Sequence, residues 1–294
     1  MSNRKPKDQR ANPQRHSGFV WLASYPKSGN TWIRAFLHNL LCAMSGAGGT
    51  PSIGGVTRFG ASVNTRALYA KILGFMPSDE HLGEIAAARH EVQRFVVDQL
   101  KGLIFSKTHE ALTIDRGFTT INLEVTAGAI YVMRNPLDVA ISYAHHLGLS
   151  IDKTIESMGT ANAEMPLSKQ QIHQVLGSWS QHVASWTREP HQAIHVMRYE
   201  DMLADPERSF GGLARHLLMT PTQAQLAQAI DQSSFENLRA QEEAEGFRER
   251  PEAAERFFRE GRAGQWKEVL TPEQVDRIVK DHGEQMARFG YLPN

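Results

Sequence analysis

The sequence predicts an α/β protein of three layers, with a central, mostly parallel sheet flanked on both faces by helices. Three observations carry this. Four short apolar runs, at residues 19–23, 102–106, 129–133 and 193–197, have the length and composition of strands buried on both faces. Stretches with apolar residues at helical spacing separate them. Each run also ends at residues that carry chemistry: Lys27 after the first, Lys107 and His109 after the second, Arg134 after the third and Tyr199 after the fourth. In a parallel sheet such residues gather at the carboxyl edge, where ligands bind.

Taken in order, the first strand runs into a polar turn containing Pro26, Ser28 and Gly29. A helix follows, with Ile33, Phe36, Leu37, Leu40, Leu41 and Met44 on one face. Strand, tight turn and helix N-terminus make an anion site, because turn N–H groups, the helix dipole and Lys27 all favour negative charge. Residues 45–60 are rich in glycine and read as a long loop. Helical patterns follow at 65–75 and 78–100, the second opening on Ser78, Asp79 and Glu80. After the third strand, Asn135 caps a helix with Pro136 at its first position. Residues 150–164 read as irregular. Ile172, Val175, Leu176, Trp179, Val183 and Trp186 predict one long amphipathic helix. Beyond the fourth strand, Thr220-Pro221-Thr222-Gln223 and Thr271-Pro272-Glu273-Gln274 read as capping boxes. The second opens a last helix with Val275, Ile278, Val279, Met286 and Phe289 on one face. Residues 241–256 are dense in charge, which predicts a solvated face or a lid that orders over a ligand.

The 294 residues suffice for a large core, and their formal net charge is zero, which argues against nucleic acid or an acidic membrane as partner. Cys42 is the only cysteine, so no intramolecular disulfide forms; its place on the first helix predicts a packed thiol and fits a reducing, cytoplasmic compartment. Residues 1–17 read as a disordered basic tail without the apolar region of a signal peptide, and residues 18–294 as a single domain. No apolar run approaches the roughly 20 residues of a membrane span.

The motif Tyr25-Pro26-Lys27-Ser28-Gly29-Asn30-Thr31-Trp32 resembles the 5′-phosphosulfate loop of the soluble, cytosolic-type sulfotransferases, which use 3′-phosphoadenosine 5′-phosphosulfate (PAPS) as sulfuryl donor. Tyr131 to Tyr143, with Arg134-Asn135-Pro136-Leu137-Asp138 at its centre, is similar to that family's 3′-phosphate motif. Lys107-Thr108-His109 resembles the segment with the catalytic histidine, Arg198-Tyr199-Glu200-Asp201-Met202 another family stretch, and Phe258-Arg259-Glu260-Gly261-Arg262-Ala263-Gly264-Gln265-Trp266-Lys267 the C-terminal phosphate loop. The matches run in order from Gly18 to about Tyr291, and the overall cast is that of a bacterial member. Departures are Glu260, where a basic residue is usual, Gln265, where aspartate is frequent, and a dimerisation segment only partly present at 267–276. Oligomeric state therefore stays open.

The resemblance implies roles residue by residue. Lys27 contacts the 5′-phosphosulfate and steadies the departing oxygen, while Ser28, Gly29, Asn30 and Thr31 supply donors around it. His109 is the general base and Lys107 binds the transferring sulfuryl group. Arg134 and Ser142 hold the 3′-phosphate, helped by Arg259, Gly261 and Arg262. Trp32 stacks on adenine or packs in the core; Tyr199 and Ser233 hydrogen-bond the base; Phe235 stacks beneath it or packs. His145 and His146 either line the acceptor pocket or face solvent. Positioning and electrostatics dominate such chemistry, by analogy with phosphoryl transfer, and with no Cys cluster or spaced carboxylates no metal site is expected. The expected reaction is transfer of a sulfuryl group from PAPS to a hydroxyl or amine, leaving 3′,5′-bisphosphoadenosine (PAP). The acceptor, a small molecule, glycan or natural product, is not legible. A nucleotide kinase fits less well, since G-x-x-x-x-G-K-[ST] is missing, and a non-catalytic PAPS or PAP binder is the remaining alternative.

Overall fold

The computed structural model describes residues 17–46, 52–250 and 255–293. The predicted tail lies outside them except for Ser17, whose hydroxyl accepts from the Gly102 N–H.

Four strands make the central sheet: β1 (Gly18–Ser24), β2 (Leu103–Thr108), β3 (Thr126–Met133) and β4 (Ile194–Arg198). Their spatial order is β2-β1-β3-β4, and every pairing is parallel. The chain leaves β1 to build on one side and returns to build on the other, so a crevice opens at the carboxyl end of β1. Register sets what gathers there. Ala23 pairs Thr108, Ser24 pairs Val132 and Met133 pairs Arg198, so the residues that follow emerge at one edge.

The alternation of β1 divides the core. Phe19, Trp21 and Ala23 face one layer, where helices α3 (Pro136–Leu147), α5 (Trp179–Thr187) and α9 (Pro272–Arg288) pack. Val20 and Leu22 face the other, against α1 (Asn30–Ser45) and α6 (Pro206–His216). In that second layer Phe36 and Phe210 stack at 4.3 Å, both fully buried. Helix α2 (Leu82–Leu100) follows a short turn capped by Ser78 and His81. Among the described residues no helix is long and apolar enough to cross a membrane.

Several expectations need correction. Residues 151–159 form helix α4 (Ile151–Gly159), capped by Ser150, which accepts from the Lys153 N–H; Ile155 and Met158 are buried, but so short an apolar stripe is masked by the charges beside it. The helix predicted from Ile172 begins only at Trp179. Gly177 takes a left-handed φ of 65°, Ser178 caps α5, and Gln174–Val175 pairs instead with Glu164–Met165. Burial of an extended segment on both sides imitates helical spacing. Within the expected loop a short helix forms at Ile53–Arg58, and residues 47–51 lie outside the described ones. Helix α7 (Gln223–Gln232) is capped by Thr222 with Gln225, two residues later than read, leaving Pro221 ahead of the cap. Leu41 is 40% exposed and Cys42 only half-buried, so the stripe on α1 is narrower than predicted. Of the charged run, the first part belongs to helix α8 (Phe235–Glu245), and residues 251–254 are outside the described ones.

The Phe36–Phe210 stack gives a direct check. Phe210→Ala should lower unfolding stability by ~3–5 kcal/mol, the usual cost of deleting a buried aromatic ring. Urea unfolding measures it, and a loss under 1 kcal/mol would contradict this packing.

Candidate active site

The turn after β1 is built by two left-handed residues, Lys27 (φ 64°) and Gly29 (φ 110°). A side chain at position 29 would be strained by that φ and would meet the Tyr199 ring at 2.9 Å, so glycine is required twice over. Asn30 closes the turn by donating to the Leu22 carbonyl at 2.7 Å. No side chain caps the N-terminus of α1, which leaves its first donors for an anion. Ser28 is fully buried and its hydroxyl has no partner. The Nε atoms of Arg134 and Arg34 and the indole N–H of Trp32 are also buried and unpartnered.

Above this edge lies a cavity of about 340 Å³. Its walls include Lys27, Gly29, Asn30, Thr31, Trp32, Lys107, His109, Arg134, Ser142, Tyr199, Ser233, Phe235, Arg259 and Gly261. Two predicted residues are not on the wall. Ser28 lies beneath it. Arg262 points away, bonded by both Nη atoms to Glu268 (2.8 and 2.7 Å) and by Nε to Glu260; only its carbonyl reaches inward, accepting from Arg134 at 3.0 Å. Of the two histidines, His146 lines the cavity and His145 is exposed. A larger groove of about 1140 Å³ runs past the opposite end of the sheet, along Thr126 to Ala129, and holds none of the predicted residues.

Electrostatic neighbours divide the cations. Lys107 faces Arg34 and Glu249. Arg259 faces Glu260, Arg134 and Arg262. Lys27 feels both groups. Burial, reinforced by Arg134 and Lys107, pushes Lys27 down to about 8; burial and Arg34 do the same to Lys107. Both remain largely protonated at neutral pH.

His109 Nδ1 lies 2.7 Å from the Ser24 carbonyl. A carbonyl only accepts, so Nδ1 carries the proton and Nε2 keeps its lone pair. Burial, and Lys107 after it, hold the imidazole well below its usual pKa. The ring is therefore neutral at pH 7 and able to take a proton.

Between the charges the walls are aromatic. Trp32 meets Tyr199 edge-on at 5.5 Å, and the Arg134 guanidinium sits 4.3 Å over the Tyr199 ring. Trp32 also packs on Phe210, so its cavity and core roles coexist. Ser233 is buried with its hydroxyl donating to Ala229 and Ile230 carbonyls.

Sequence reading missed the residues that hold the walls in place. Asp138, fully buried, accepts from the N–H groups of Gly264 and Trp266, at 2.7 and 3.0 Å, tying the C-terminal loop to α3. Glu242 likewise accepts from the N–H groups of Phe257 and Phe258. Phe257 then covers the Lys27 amine at 4.3 Å. Gly261 lies so close to Phe235 that a Cβ there would meet the ring at 2.3 Å. Gln265 receives a 2.6 Å bond from Arg259, and Glu260 pairs with both Arg259 and Arg262. Gln265 and Glu260, two of the departures noted in the sequence, thus aim and partly neutralise Arg259. Glu249 bonds Arg34 through both oxygens, at 2.8 and 2.7 Å, and lies 3.7 Å from Lys107. No local pattern in the charged run marked Glu242 or Glu249.

The family model for the sulfotransferase domain matches residues 18–290. The chain belongs to the sulfotransferase family. Flavonol 3-sulfotransferase of Flaveria bidentis is 26% identical over 291 residues, covering 94% of this chain and 84% of that one. The amine sulfotransferase of Oryctolagus cuniculus is 31% identical over 173 residues, 55% of this chain and 56% of that one. Among solved structures, mouse sulfotransferase SULT7A1 complexed with PAP aligns with a TM-score of 0.59 at 18% identity, covering 92% of this chain and 85% of the other. Retinol dehydratase in complex with retinol and PAP aligns with a TM-score of 0.62 at 17% identity, covering 91% and 81%. These structures share the fold of this sulfotransferase.

The lysines fix a pH dependence. Lys27 and Lys107 lose their protons as pH rises through about 8, whereas His109 stays neutral far below 6.5. The value of kcat/KM for an anionic donor should therefore fall above about pH 8 and show no acid limb near 6.5. A pH–rate profile in which activity is lost on descending through 6.5 would remove the neutral His109 from this account.

Proposed function

We propose that this sulfotransferase transfers a sulfuryl group from PAPS to the hydroxyl of a small-molecule acceptor, by in-line displacement with His109 as general base. The observation that carries the reading is the paired arrangement of cations in one cavity. Lys107 and His109 share the field of Arg34, Arg259 faces Arg134, Lys27 lies in the field of both groups, and aromatic side chains share the walls with them. A donor with a 5′-phosphosulfate, an adenine and a separate 3′-phosphate carries two anionic groups and a flat ring for such a lining. The orphaned Ser28 hydroxyl, the uncapped start of α1 and the unpartnered Arg134 Nε fit its two anionic groups. PAPS, when bound, supplies an activated sulfuryl group on a phosphate leaving group.

The side chains do the rest. His109 Nε2 removes the acceptor proton, and the Nδ1–H bond to Ser24 strengthens as the ring becomes charged. Lys107 faces the transferring group, and Lys27 neutralises charge that grows on the leaving oxygen. Arg134, backed by Tyr199, presents its fork to the 3′-phosphate beside Ser142 and Arg259. Trp32 and Phe235 hold the adenine, with Tyr199 and Ser233 at its edge. Residues 18–294 act as one catalytic domain in this reading, and the lone Cys42 fits a cytoplasmic setting.

A thermal-shift panel tests the donor. PAP without magnesium should raise the melting temperature, and stabilisation only by ATP with magnesium would favour a kinase instead. Labelled PAPS offered to a broad acceptor panel, with mass spectrometry of the products, then separates an enzyme from a mere binder. His109→Ala should keep PAP affinity and lose ~10²–10⁴-fold in turnover. Arg134→Ala should erase the preference for donors that carry the 3′-phosphate; a preference that survives would refute that assignment.

A further inference from the structure

Tyr131 and His182 are fully buried and line no part of the cavity. They nevertheless form a chain that ends on the base. The Tyr131 hydroxyl lies 2.9 Å from His182 Nδ1, and His182 Nε2 lies 3.1 Å from the main-chain carbonyl of His109. That carbonyl only accepts, so His182 Nε2 carries the proton. Nδ1 is left with its lone pair and accepts from the phenol. Burial keeps the arrangement fixed: it pushes His182 down to about 3 and raises Tyr131 well above the phenol range. Packing holds the ring as well, with Tyr25 edge-on at 5.5 Å and Tyr131 stacked at 5.6 Å.

His109 needs such help because β2 ends at Thr108, so the ladder no longer holds its main chain. Its ring is anchored at one atom, Nδ1, which lies 2.7 Å from the Ser24 carbonyl and 3.4 Å from the Ser24 hydroxyl. A single anchored atom leaves the imidazole free to pivot about it. The carbonyl bond from His182 is a second anchor, on the backbone side of the same residue.

We infer that His182 is a positioning residue for His109: it grips the carbonyl of residue 109 through a donor whose tautomer Tyr131 dictates, and so sets where His109 Nε2 stands. This rests on the reading of His109 as general base. A shift of about 1 Å in a reacting group can cost ~10²-fold in rate, so the grip matters to turnover and not to donor affinity. The charged groups that face His109 are Lys107 and Arg34, with Glu249 bonded to both, and His182 itself is neutral. Without the grip, the ring moves toward solvent and its pKa rises toward the ordinary histidine value.

Three variants of the full chain test this: His182→Phe, His182→Gln and Tyr131→Phe. Nitrogen-15 NMR of labelled histidines reads the tautomer and pKa of His109 with no acceptor present. Turnover with PAPS and an acceptor found in the panel, and PAP binding, complete the set. His182→Phe should raise the His109 pKa, lower kcat by ~10–10²-fold and leave PAP affinity unchanged. His182→Gln, whose carboxamide can still donate to the carbonyl, should restore most of the loss. Tyr131→Phe should cost about fivefold, the worth of one ordinary hydrogen bond. A His182→Phe protein with wild-type titration and kcat overturns the inference, as does a glutamine variant no better than phenylalanine. If His182→Phe does not fold, the glutamine and Tyr131→Phe variants decide it, and wild-type behaviour in the latter counts against it. Unchanged turnover in His109→Ala would instead remove the base, a separate failure that the NMR titration does not depend on.

Discussion

Mutual repulsion among cations is the constraint on which this structure turns. Lys27, Lys107, Arg134 and Arg259 share one small cavity, with Arg34 just behind it. Arg134, Lys107 and Arg259 each lower the pKa of Lys27, Arg34 lowers that of Lys107, and burial adds to the strain. A fold can hold such a cluster only if the main chain fixes each member and a few carboxylates relieve it. Both devices are present. Lys107 stands near the end of β2, Arg134 directly follows β3, Lys27 sits in the tight turn after β1 and Arg259 on a loop tied by buried carboxylates, while Glu249 and Glu260 supply local counter-charge. The unspent positive charge is what an anionic nucleotide meets.

The same constraint explains the aromatic walls. Tyr199 lies flat under the Arg134 guanidinium, and Phe257 covers the Lys27 amine. Such faces stabilise a cation modestly while excluding water, which strengthens the field the cation presents. Positioning is thus achieved twice over, through backbone carboxylate ties and through ring faces.

Much of this was legible in the sequence because the informative residues follow strands. Lys27, His109, Arg134 and Tyr199 could be placed at one edge from four apolar runs alone, and the register of the sheet puts them there. Helix α3 was equally plain from Asn135 and Pro136, since capping chemistry is local. The failures share a cause. Ile172 to Leu176 packs on two sides in an extended form, and spacing alone cannot distinguish that from a helix. Glu242, Glu249 and Asp138 act through partners far along the chain, so nothing adjacent announces them. Arg262 was misplaced for the same reason: only the folded loop shows that Glu268 claims its guanidinium.

The tie from Asp138 to Gly264 and Trp266 spans 126 and 128 residues. Synthesis runs from the N-terminus, and early segments begin to fold as they emerge. Strands β1 to β3 and helix α1 are complete long before residue 264 exists. A nascent chain therefore carries an open, unneutralised cation cluster with its last wall missing. The wall that Gly261 and Gln265 supply therefore closes over the cations late in synthesis, after the strands that position them are already made.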